Sequence, residues 1–139
     1  MPGSAHEERV WARHSENENA VGNLVLHLCG NVGQRTTAIS GAPDLRVRHL
    51  EFSVRGGVTI ASLTERLRAA VECVIAALGT VSPDRLGRVV TVGEFRHTIL
   101  ETTYHMVDHF ALHTGQIIFA TKLMTAADLG FNQPPQSKR

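Results

Sequence analysis

The sequence predicts an all-α fold, an antiparallel helical bundle in one domain. Three observations carry this. Three stretches place apolar residues every three to four positions, capping and breaker signals separate them, and the one β-branched run, Val89-Val-Thr-Val92, is short. At 139 residues the chain has the size of a single domain with a modest core, and it contains no internal repeat.

Residues 1–19 are polar and predict an N-terminal segment in which Trp11 is the only large apolar anchor. Ser15-Glu-Asn-Glu-Asn19 reads as a loop leading into a helix. From about Ala20 to Ile39, Val21, Leu24, Val25, Leu28, Val32 and Ile39 recur at helical spacing. Gly22, Gly30 and Gly33 weaken that helix by roughly 1 kcal/mol each, or else permit a neighbour to approach closely. Ser40-Gly-Ala-Pro-Asp44 breaks it.

Residues 44–58 show no clear period, and Arg55-Gly56-Gly57 marks a turn. A second amphipathic helix carries Leu63, Leu67, Ala70, Val71, Val74 and Leu78 on one side. Its start is either a capping box of Ser62 with Glu65 or a cap at Thr59, and Gly79 ends it. Ser82-Pro83-Asp84 opens a connection holding the Val89–Val92 run, a short extended segment. The last helix begins with Thr98 and Glu101 at capping-box spacing and runs through Met106, Phe110 and Ile117 to Met124, a rod of roughly 40 Å. Residues 132–139 predict a disordered tail.

Composition removes several function classes. Fourteen basic residues against 13 acidic ones leave no electrostatic footprint for nucleic acid or an anionic membrane surface. No stretch approaches the roughly 18 apolar residues that span a bilayer, and the polar N-terminus lacks the form of a secretory signal. Cys29 and Cys73 read as free thiols of a reducing compartment, so the expected location is the cytoplasm. There is no convincing Ser-His-Asp set, phosphate loop or carboxylate pair.

The chemistry lies in the histidines. His105, His109 and His113 are spaced four apart on the last helix, so neighbouring rings lie on one side. Measured from the centre of the apolar stripe, His113 lies roughly 40° away, His109 roughly 80° and His105 roughly 120°. On the first long helix His27 flanks the stripe, where it can meet a pair from another helix. Neutral imidazoles ligate divalent metals and leave positions open for water or substrate. The bland alternative is a set of packed or solvated histidines. For His6, His14, His49 and His97, in polar or irregular stretches, that alternative holds.

Gly22-Asn-Leu-Val-Leu-His-Leu28, Gly41-Ala-Pro-Asp-x-Arg46, Glu51-Phe52, His109-x-x-x-His113-Thr-Gly-Gln-Ile-Ile118 and Asp128-Leu-Gly130 occur in order. This pattern resembles the DinB/YfiT-like superfamily of helical metal proteins over roughly residues 10–131. The resemblance implies that His27, His109 and His113 bind a divalent metal and that His105 is not a ligand. Three nitrogen ligands with open positions suit zinc or nickel foremost, with iron or copper also fitting. Gln116 and Asn31 are candidates to orient a ligand or to serve as structural hydrogen-bonding groups. Asp108 and Glu101 are further acceptors, Glu101 already being committed to its cap. Cys29, two residues from His27, faces elsewhere as a small apolar side chain.

The chain departs from the resemblance by starting near the position where the family's first bundle helix would end. The expectation is a first helix that is shortened or absent, and exposed apolar stripes, with a homodimer partner as one way of covering them. The implied activity is metal-dependent S-transfer of a low-molecular-weight thiol to a small-molecule substrate, or hydrolysis with water in the thiol's place. The alternative is a non-catalytic metal-binding or stress-response interaction protein. No catalytic general base is assigned.

Overall fold

The computed structural model describes residues 5–131, so Met1–Ser4 and the expected tail at 132–139 lie outside the described residues. Five helices and one hairpin follow in order: α1 (Ala5–Val10), α2 (Val21–Ser40), α3 (Arg48–Ser53), α4 (Ile60–Gly79), β1 (Val89–Val92), β2 (Phe95–Thr98) and α5 (Ile99–Thr125). The fold is helical, as the periodicity predicts, with a two-stranded sheet as its only extended structure among the described residues.

The three long helices form where apolar period and caps agree. α2 stops at Gly41, whose φ of 75° lets its N–H return to the Thr37 carbonyl, a conformation that glycine adopts without strain. α4 resolves the choice of caps in favour of Thr59, whose hydroxyl accepts the Ser62 N–H. α5 starts with a complete capping box. The Thr98 hydroxyl accepts the Glu101 N–H while the Glu101 carboxylate accepts the Thr98 N–H.

α2 is the central rod and packs against α3, α4 and α5. Leu24, Leu28, Val32 and Ile39 are buried along it, with Leu63 and Val74 from α4 and Ile99 and Met106 from α5. Val32, Val74 and Met106 meet in one cluster, flanked by Ala70, Leu78 and Phe110. Val92 of β1 is also buried, and β1 packs on α2.

Two short helices depart from the sequence reading: α1 occupies part of the polar N-terminal segment and α3 the aperiodic stretch. The Val89–Val92 run is extended, as expected, and pairs with Phe95–Thr98 in register Val89↔Thr98. His6, His49 and His97 consequently stand on α1, α3 and β2 rather than in irregular chain. Trp11 does anchor the N-terminal segment. Its indole N–H donates to the Val58 carbonyl, and its ring rests on Gly22, where a Cβ would come within 2.7 Å of it.

The outer face of α5 is apolar and uncovered, carrying Leu100, Tyr104, Val107, Leu112, Phe119 and Leu123, all exposed. No helix among the described residues is long and apolar enough to cross a membrane.

Candidate metal centre

α2 and α5 bring together three rings from distant parts of the chain. Nε2 of His27 lies 3.0 Å from Nε2 of His109, which lies 3.1 Å from Nε2 of His113. One nitrogen from each ring falls within 4.8 Å of the others, so the cluster can hold a metal ion. His105 stays outside it. Its ring stacks on His109 at a centroid distance of 5.7 Å and is exposed, in keeping with its angle from the seam.

Hydrogen bonding at the far side of two rings decides where their protons sit. His27 Nδ1 lies 2.8 Å from Glu51 Oε2, within a buried pair. Burial alone would raise the Glu51 carboxyl, but hydrogen bonds from His27 and Arg46 outweigh it and hold the group below its ordinary range. An ionised carboxylate only accepts, so the proton belongs to His27 Nδ1 and Nε2 presents a lone pair. Arg46 also lies 3.1 Å from that Nδ1, but it cannot accept, and it already donates to both Glu51 oxygens. His113 Nδ1 meets Gln116 Oε1 at 2.6 Å, which gives the same tautomer.

Two lone pairs therefore point at His109 Nε2. A proton on that nitrogen can be donated to only one of them, whereas a cation would satisfy all three. Tetrahedral ligation at about 2.0–2.1 Å separates nitrogens by about 3.3 Å; the two spacings through His109 lie within a few tenths of an ångström of this, while His27 and His113, within 4.8 Å of each other, would draw together around an ion. Burial first, then the neighbouring rings of His113, His27 and His105 and the charge of Arg35, push His109 down to about 4. It thus stays neutral, the form that binds a metal. The donor set fits a divalent ion.

The sequence reading missed what holds His27. Asn23, fully buried one turn before it, donates to the carbonyls of Glu51 and Val54 and ties α3 to α2. The Phe52 ring packs against His27 at 4.9 Å. Gly30 leaves the space that the Glu51 carboxylate fills, since any Cβ there would overlap it. Asn23, Arg46, Glu51 and Phe52 all stand within the quoted motifs, yet spacing alone gave them no role.

The other candidates stand apart. Glu101 is spent on the α5 cap, and Asp108 is exposed. Asn31 is buried but does not touch the rings through a hydrogen bond. Cys29 is half-buried rather than fully packed, and burial pushes its thiol up to about 11. It lines a cleft of about 580 Å³ together with Arg46 and Glu51. Both cysteines are free thiols.

No curated protein shows significant similarity to the chain. A family model described as protein of unknown function (DUF1572) matches residues 4–135, nearly the whole sequence, and the chain belongs to that family.

Proposed function

We propose that this protein is a divalent-metal-binding member of the wider DinB/YfiT-like group, with His27, His109 and His113 as ligands. Its activity is metal-dependent S-transfer of a low-molecular-weight thiol to a small-molecule electrophile, or hydrolysis when water replaces the thiol. The observation that supports it best is the convergence of three Nε2 atoms from two helices, two of them with the proton fixed on the opposite nitrogen. Zinc or nickel suits three imidazole nitrogens with positions left open.

When bound, such an ion supplies Lewis acidity, favouring the deprotonated form of a thiol or water. The chain's own residues do the rest. Glu51 and Gln116 orient His27 and His113, Arg46 and Asn23 fix Glu51, and Phe52 packs beside His27. A second copy of the chain covers the outer face of α5, a reading supported by its six exposed apolar side chains.

Elemental analysis of untagged protein tests the site. About one equivalent of metal is expected in the wild type and none in the His27→Ala, His109→Ala, His113→Ala triple variant. Equal metal in both would refute the ligand set. Turnover of a thiol with an electrophile should then scale with metal occupancy; stoichiometric metal without turnover across thiols and esters would refute the enzymatic reading and leave a metal-binding protein.

A further inference from the structure

Between α2 and α5, beyond the histidine centre, lies a group of polar side chains that do not satisfy one another. Arg35 is 7% exposed, and its Nε and Nη1 are sealed from solvent without a hydrogen-bond partner. The buried carboxylate of Glu51 is taken by His27 and Arg46, and no acidic group among the described residues pairs with Arg35. One turn earlier on α2, Asn31 is 5% exposed and its Oδ1 is unpartnered. On α5 the fully buried Thr102 hydroxyl and Nδ1 of His109 are unpartnered as well.

These groups share a neighbourhood. His27 against His109, and Val32 clustered with Met106, set an antiparallel register that carries Arg35 to the level of Thr102. An isolated unsatisfied polar atom is an ordinary occurrence, whereas several on facing turns of two helices are not. A buried guanidinium with no counter-charge is strongly unfavourable unless something supplies one.

We propose that Arg35, with Asn31 and Thr102, forms a binding site for the carboxylate of a small-molecule ligand. Nε and Nη1 of the guanidinium are without a partner, which leaves N–H donors on either side of it for carboxylate oxygens. The Thr102 hydroxyl adds a donor, and the Asn31 amide can turn to present its Nδ2. Arg46 is committed to Glu51, so the pocket offers one positive charge. That matches a carboxylate better than a phosphate dianion. Arg35 stands about 12 Å along α2 from His27, so the far end of a carboxylate ligand can extend toward the three rings. This extension rests on the metal reading; the anion site does not.

The test uses metal-free protein, so a failure of the metal assignment leaves it intact. Acetate, succinate and inorganic phosphate are titrated at constant ionic strength in chloride, read by thermal unfolding and by the Arg35 Nε–Hε NMR signal. Carboxylates should raise the melting temperature saturably and shift that signal, with phosphate at least tenfold weaker. Arg35→Met should abolish the rise in melting temperature yet melt, without ligand, at or above the wild type, because an apolar side chain replaces an unpaired buried charge. Arg35→Lys should keep the charge, lose the fork and bind at least tenfold more weakly. Carboxylates no better than chloride, phosphate binding as tightly, equal binding by Arg35→Met, or an Arg35→Met protein that melts well below the wild type would each overturn the site.

Discussion

The carboxylate of Glu51 stands 2.8 Å from Nδ1 of His27, although 24 residues separate the two in the chain. The contact does more than join α3 to α2. It commits the imidazole proton to the far side of the ring and turns Nε2, as a bare lone pair, toward two more rings from α5.

Glu51→Gln keeps the shape of that contact but removes its charge, and the lost charge also releases Arg46. Metal affinity should fall about 10–100-fold, the usual effect of losing a ligand's hydrogen-bond partner. Competition against a chelator measures it. Unchanged affinity would mean that His27 does not depend on the carboxylate.

Gly30→Ala separates helix propensity from site geometry. In an open helix alanine would stabilise α2 by about 1 kcal/mol relative to glycine. Here its Cβ would fall on the Glu51 carboxyl group, so both stability and metal affinity should decrease. A more stable variant with full affinity would show that the notch is unimportant.

The metal-free protein should lose stability in acid over a defined window. His109 titrates at about 4 in the fold against an ordinary 6.5, so between these values the unfolded chain binds a proton that the native state refuses. The contribution is complete above about pH 6.5 and is lost as pH falls toward about 4. Chemical denaturation of metal-free wild type and His109→Leu across this range checks it, and the variant should show a flatter profile. Parallel profiles would remove His109 as the source.

Val107→Lys with Phe119→Lys places two charges on the outer face of α5, where both side chains are exposed. If a second copy covers this face, sedimentation should show the wild type as a dimer and the variant as a monomer, with helix content unchanged. A wild type that is already monomeric at high concentration contradicts the pairing. By contrast Leu28→Ala, at a position 1% exposed, should cost about 2–5 kcal/mol whatever the oligomeric state, as urea unfolding would record.

The long helices were legible because period and caps repeat the same message over 20 residues or more, as with Thr98, Glu101 and the α5 stripe. The convergence of His27 with His109 and His113 could be anticipated from their places at the seam edges together with the family resemblance. α1 and α3 were not visible, being six residues each, too short for a helical period to emerge. Phe95–Thr98 becomes a strand because Val89–Val92 pairs with it, a dependence that its own alternation does not announce. The role of Glu51 was hidden for a related reason: it sits in an aperiodic segment, and its partner is set by how α3 folds back on Asn23.

A single 27-residue rod presents two imidazoles to the interior and six greasy side chains to the outside. Events on its two sides therefore share one backbone. If a second copy docks on that outer side and seating an ion between the rings favours the docked form, thermodynamic reciprocity requires association to tighten ion affinity by the same factor. Occupancy measured in dilute and in concentrated solution would then give two different numbers for one protein.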